Sequence, residues 1–254
     1  MWKLIGAIAP AIILVIYIFL RDKYEREPIG KILLTFFVGM LSVPLALFVI
    51  DISHIDDLPT ILFSNVQLQA IGEAFFSAAI PEELSKLVIL YLLIWRNKNF
   101  NERMDGIVYA VCVSMGFATV ENILYVLNDP SCMIGRALFA VPGHFLFAVL
   151  MGYFLSMAKF SRKRRVFNWI MTAVAPILAH GIYDSILMVT SVASETWLTS
   201  LTILFYVFIF LLWKLGLNRI LVHVESSPFN PENMQTPMSN TDGQDANNTE
   251  NTLG

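Results

Sequence analysis

The length of the apolar runs limits this chain more than any other feature. They extend for about 17–25 residues between short charged loops, the spacing of helices that cross a hydrocarbon core about 30 Å thick. Inside lipid every backbone N–H and C=O must be satisfied within the protein, so only helices and closed barrels span a membrane. Barrel strands need only about 9–11 residues, so runs of this length specify helices. Composition agrees: the 254 residues are 56% hydrophobic and 15% charged, where soluble domains carry about 25% charged residues. The expected fold is an all-α polytopic transmembrane helix bundle of about seven spans, near residues 4–20, 32–51, 70–95, 104–127, 137–158, 167–190 and 199–217. Arg21, Asp22 and Lys23 follow the first run in place of a small-residue cleavage site, so it reads as a retained anchor.

The loops are unequal in charge. Arg21, Lys23, Arg26, Lys31, Arg96, Lys98, Arg103, Lys159, Arg162, Lys163, Arg164, Arg165, Lys214 and Arg219 fall on one side. Only Lys3 and Arg136 fall on the other, beside Asp51, Asp56, Asp57 and Asp129. Positive loops stay cytoplasmic, which predicts the amino terminus outside and the carboxyl terminus inside. Topology accounts for the basic loops, and nothing suggests nucleic-acid binding. Residues 1–222 read as the integral membrane bundle, and 223–254, rich in Asn, Thr, Pro and Ser towards the end, as a disordered cytoplasmic tail in which His223 is solvated. Cys112 and Cys132 lie too far apart along one helix and its loop to pair.

Against this background, ionisable residues inside the spans are the informative ones. A charge at bilayer depth costs about 2.5–3.5 kcal/mol on insertion scales, yet Glu82, Glu83 and Lys86 share one apolar run, and Glu121, His144, His180 and Asp184 occupy three more. Counted from the cationic end of each span, Glu82 lies 14 residues from Arg96, Glu121 18 from Arg103, His144 15 from Lys159 and His180 15 from Arg165. At about 1.5 Å rise per residue, all four groups stand roughly 20–27 Å from that edge, in one layer.

Spacing within each helix suggests chemistry. Lys86 is in reach of both Glu82 and Glu83, four and three residues away, and can hold one carboxylate charged beside another suited to acid–base work. Phe117, Glu121 and Tyr125 share a face, with Asn122 alongside as an amide donor; Asp184 is placed to orient His180. Pro81 favours a helix start, which predicts a break or sharp kink before Glu82 and a separate segment carrying Glu73. Polar residues also serve as packing glue between membrane helices, the simpler account of Asn122 or Tyr125 alone. A proton-coupled transporter would use a similar layer, although such proteins are often built from matched halves, and an inactive membrane scaffold would keep the same residues.

Pro81-Glu82-Glu83-Leu84-Ser85-Lys86, then Phe117-Ala118-Thr119-Val120-Glu121-Asn122, His144 after a glycine, and His180-Gly181-Ile182-Tyr183-Asp184 resemble, in order, the motifs of the PrsW family of bacterial membrane proteases. The resemblance covers a motif core of about residues 70–190 and extends distantly to the prenyl-protein (CaaX) endopeptidases, in which a histidine usually stands where this chain has Glu121. It implies a multi-pass protein of the bacterial cytoplasmic membrane that makes the site-1 cut in a membrane-anchored anti-sigma factor.

Residues and resemblance together predict a peptide-bond hydrolase acting on a single-span membrane protein in the lipid bilayer. Glu82 is the expected base, Glu83 its partner, and Lys86 their counter-ion. Glu121 and His144 would complete the water site, and His180, held by Asp184, would act as an oxyanion donor or a second polariser, with Phe117 and Asn122 in support. No cofactor is expected from the spacing, since no His-Glu-x-x-His motif is present. If a metal is used, zinc on Glu82, Glu121, His144 and His180 is the expected set.

Overall fold

The computed structural model describes residues 2–235, and within them it contains helices and short connections only. In chain order these are α1 (Trp2–Arg21), α2 (Ile29–Gly39), α3 (Ser42–Ser53), α4 (Leu58–Leu62), α5 (Val66–Glu73), α6 (Ile80–Ile94), α7 (Arg103–Asn128), α8 (Met133–Gly135), α9 (Val141–Phe160), α10 (Arg165–Val192), α11 (Glu195–Glu225) and α12 (Pro231–Gln235). Six helical stretches among the described residues are long and apolar enough to cross a membrane: Trp2–Arg21, Ile29–Ser53, Arg103–Asn128, Pro130–Phe160, Arg165–Val192 and Glu195–Glu225. Residues 66–94 are helical throughout as well, but Glu73, Glu82, Glu83 and Lys86 make this stretch too polar to stand among the six.

The centre of the bundle is the pair α7 and α9, both buried over most of their length, with α1, α2, α6, α10 and α11 around them. Lipid is as apolar as leucine, so membrane helices associate through close packing and interhelical hydrogen bonds. Both devices appear here. Gly106 and Gly152 let the two backbones touch: a Cβ on Gly152 would overlap the Gly106 carbonyl and the Ile107 Cα. Nearby, the Ser156 hydroxyl donates to the Arg103 carbonyl (2.7 Å), and that of Ser114 to the His144 carbonyl (3.0 Å). The crossing that glycine permits thus fixes the relation between the helix of Glu121 and the helix of His144.

The predicted break before Glu82 is replaced by a different device. Ala79 and Ile80 keep right-handed helical torsions, and a π-helical turn, Ala74–Ala79, joins α5 to α6 without interruption. Proline cannot donate to the carbonyl four residues back, and its ring crowds that carbonyl. A turn closed by i to i+5 bonds is a way to absorb this misfit without ending the helix, and such turns are frequent at functional sites. The arrangement recurs in α9: a π-turn, Arg136–Ala140, precedes Val141-Pro142, and His144 follows two residues later.

Two further expectations change. His223, read as solvated, is fully buried; it stacks on Tyr153 (4.6 Å) and its Nδ1 bonds the Arg103 carbonyl at 3.0 Å. Helix α11 also runs well past residue 217, and Asn230 and Asn233 cap it by donating to the Glu225 carbonyl. Residues 223–235 therefore pack as structure, and the remainder of the expected tail, 236–254, lies outside the described residues.

At the end of the bundle where the loop after α1 meets the loop before α7, Asp22, Glu27, Glu102 and Asp105 are buried beside Glu25. Glu27 accepts from the Tyr109 hydroxyl, Asp22 accepts from the Glu27 amide, and Glu102 with Asp105 forms a capping box at the start of α7. Burial, reinforced by the neighbouring carboxylates, raises Asp22 and Glu27 to about 7. A carboxyl whose folded value is raised binds its proton more tightly in the folded state. Stability is then greatest below the unfolded value near 4 and is lost as pH rises towards 7. The unfolding temperature in detergent should fall by on the order of 5–10 °C between about pH 5 and about pH 8, and Glu27→Gln should flatten that slope. A slope of opposite sign would contradict the burial of these groups as neutral acids.

Candidate active site

Each site residue reaches the interior by a local rule. Glu82 and Glu83 follow Pro81 directly after the π-turn, and Lys86 lies one turn further on the same face. His144 takes the corresponding place after Pro142 in α9. Glu121 comes from α7, and His180 with Asp184 from α10, one turn apart.

Lys86 is at the centre. Its Nζ donates to Glu83 Oε1 (2.7 Å), Glu82 Oε2 (3.3 Å) and His144 Nδ1 (3.1 Å), and lies 3.9 Å from the centre of the Phe117 ring. Since an ammonium can only donate, His144 Nδ1 is the acceptor, and the ring carries its proton on Nε2, which donates to Glu121 Oε2 at 2.8 Å. His180 differs: Nδ1 meets Glu83 Oε1 (2.9 Å) and Nε2 meets Asp184 Oδ2 (3.1 Å), an arrangement that an imidazolium satisfies in full. Its ring also stacks on Phe147 at 4.8 Å.

The two adjacent glutamates are not equivalent. The Glu83 side chain is 0% exposed and sealed behind Lys86 and His180, whereas that of Glu82 is 16% exposed. Glu82 lines a cavity of about 120 Å³ together with Glu121, Tyr125, Arg136, His144, His180 and Asp184. That is room for a few waters at about 30 Å³ each, and the walls offer the polar partners that buried water needs. One ligand atom from each of Glu82, Glu83, His144 and His180 lies within 4.8 Å of the others. The structure thus puts Glu83 in the donor set where the sequence suggested Glu121, which instead holds His144.

Arg136 was missed from the sequence, where it read as an external loop cation. It pairs with Glu121 (2.8 Å), its Nε donates to Asn122 Oδ1 (2.8 Å), and it lies over the Tyr125 ring at 3.9 Å. Its position about two turns before His144 was the available signal. Asn122 is correspondingly tied down: its amide donates to the Ala7 carbonyl (2.7 Å), which links α1 to α7, while its oxygen accepts from Arg136. Arg136→Gln should lower kcat/KM by about 10–100-fold with the fold retained. Arg136→Lys should fail to restore it, because one ammonium cannot span Glu121 and Asn122 as the planar fork does. Full activity of Arg136→Gln would show that the charge on Glu121 needs no partner.

Residues 27–213, which contain every site residue above, match the family described as PrsW family intramembrane metalloprotease. The chain is 38% identical to Protease PrsW of Geobacillus kaustophilus over 78% of its own length and 83% of that protein. It is 35% identical to Protease PrsW of Bacillus subtilis, over 86% and 94%. To Protease PrsW of Clostridioides difficile it is 33% identical, over 84% and 88%. No solved structure matches it. With a buried carboxylate–imidazole cluster inside a bundle of membrane-length helices, and a match over most of its length, this chain belongs to the PrsW family of multi-pass membrane proteases.

Proposed function

We propose that the protein hydrolyses a peptide bond of a single-span membrane protein with Glu82 as the base, and that the substrate is an anti-sigma factor anchored in the bacterial cytoplasmic membrane, cut in a site-1 step. The observation that carries the chemistry is the asymmetry of the glutamate pair: Glu82 faces the water-sized cavity and Glu83 is sealed behind it. The substrate and the membrane rest on the family resemblance, and an external amino terminus rests on the loop charges.

Glu82 takes a proton from water in the cavity as the oxygen attacks the scissile carbonyl, then returns it to the leaving amine. Lys86 and His180 hold Glu83 charged and fixed, so that the neighbouring Glu82 stays in position. Glu121 and Arg136 keep the His144 ring oriented, and the Arg136 guanidinium gives the cavity wall a fixed positive charge for the developing oxyanion.

The cluster offers the residue types that a zinc-type ion takes, two imidazoles and carboxylates, but such an ion would have to displace Lys86 from His144 Nδ1 and a proton from His180, since both rings are engaged at both nitrogens. Glu83 Oε2 is buried without a partner. Glu83, His144 and His180 would hold it, which leaves Glu82 as base. When bound, such an ion supplies Lewis acidity towards the carbonyl and a more acidic water.

The test is cleavage of a single-span substrate by the purified protein in lipid vesicles, with and without a chelator. Cleavage lost to the chelator and restored by zinc supports the ion, and cleavage indifferent to it assigns the chemistry to the glutamate alone. Absence of cleavage under both conditions would overturn the proposal.

A further inference from the structure

A second cavity, of about 420 Å³, adjoins the first and shares four wall residues with it: Arg136, Ala140, Tyr183 and Asp184. Its other walls are of a different character. Phe139, Tyr183, Phe205 and Tyr206 form an interlocked aromatic frame, with edge contacts of 5.6 Å between Phe139 and Phe205, 5.2 Å between Tyr183 and Phe205, and 5.9 Å between Phe205 and Tyr206. Thr190 and Thr202 also line it, but their hydroxyls donate to carbonyls of their own helices, Ile186 and Leu198. The frame therefore binds by shape and apolar contact, and the two charged wall residues are already paired, Arg136 with Glu121 and Asp184 with His180, so a charged side chain placed there would lose its hydration with little in return.

The cavity lies between α10 and α11 and opens on the face that membrane helices present to lipid. Leu187 is 41% and Tyr206 55% exposed at this opening. Helix α11 buries only Phe205, Leu212, Gly216, Ile220 and His223 along its length, so it covers the site loosely on this side. A chain segment entering here from the bilayer would pass the aromatic frame and arrive at the wall formed by Arg136 and Asp184.

We propose that this second cavity is the specificity pocket of the protease, and that it receives a large apolar side chain, leucine, phenylalanine or methionine, next to the scissile bond of the substrate. The inference rests on the hydrolase reading above and adds which bonds are cut. Its size falls in the range of about 300–1,000 Å³ usual for ligand sites. Continuity with the reaction cavity is what distinguishes it from a groove for lipid chains.

The test uses single-span reporter proteins in lipid vesicles, with the segment around the membrane boundary randomised and the new termini read by mass spectrometry. Leucine, phenylalanine and methionine should be enriched at least about tenfold over alanine and aspartate at one position flanking the cut, within the discrimination that pockets of this kind provide. Thr202→Trp, a change at an exposed residue of the α11 wall, narrows the pocket and should bring the phenylalanine-to-alanine ratio of kcat/KM below one. Thr190→Trp approaches from the α10 wall and should do the same. If the wild-type protein cleaves the library without preference at any flanking position, the pocket assignment is overturned, the groove belongs to lipid, and the hydrolase reading stands. If no member of the library is cleaved, the hydrolase reading fails and this inference with it.

Discussion

Glu82→Gln is expected to reduce peptide-bond cleavage by on the order of 1,000-fold, within the range that general bases contribute, while the protein inserts, folds and binds its substrate as before. Glutamine matches the shape of glutamate and can still accept from Lys86, so the hydrogen bond at 3.3 Å has a counterpart in the variant. What disappears is the capacity to take a proton from water in the 120 Å³ cavity. The loss should therefore fall on kcat, with KM little changed, because the interaction removed is one made during the reaction. A transporter built on the same residues would instead lose proton coupling and show no cleavage in either form. Glu83→Gln should behave differently. Glu83 is the shared partner of Lys86 and His180, and neutralising it leaves both with one counter-ion fewer in a place without water. Lower stability in detergent as well as lower activity is expected there.

Pro81→Ala is expected to cost at least about 100-fold in kcat, with membrane insertion retained. Alanine restores the missing N–H, and the ladder across residues 74–80 can then relax from π to α register. Loss of a π-turn rotates one flank of the helix against the other by about 100°. On one flank, Phe75 fills the space left by Gly181, the residue after His180; on the other sit Glu82, Glu83 and Lys86. The two flanks cannot both keep their partners if the turn relaxes, and a displacement of about 1 Å at reacting groups is enough for an effect of this size. Undiminished activity in Pro81→Ala would show that the π-turn is incidental to the site.

The same residues show what could be read from the sequence and what could not. Helix lengths were legible because the solvent is lipid: backbone satisfaction forces helices, and run length against bilayer thickness fixes their number within one. Glu82, Glu83, Lys86, Glu121, His144, His180 and Asp184 were legible for the complementary reason, since each is costly at that depth and is kept. The π-turns were not. Proline signals a disturbed helix, but whether the chain breaks or widens by one residue depends on what packs around it, here Phe75 against Gly181. The roles of Arg136 and Asn122 depend on each other and on the Ala7 carbonyl, 115 residues from Asn122 in the chain. A count of loop charges cannot see that. His223 illustrates the limit of composition: a polar tail begins close by, yet Tyr153 and the Arg103 carbonyl hold the ring inside.

The most direct test of the central claim is to run the cleavage reaction in water enriched in heavy oxygen, with purified protein in lipid vesicles and a single-span substrate. Hydrolysis by water in the cavity beside Glu82 predicts one heavy oxygen in the new carboxyl terminus of the product for the wild-type protein, and no product above background for Glu82→Gln. Labelled product formed by Glu82→Gln at the wild-type rate would contradict the account.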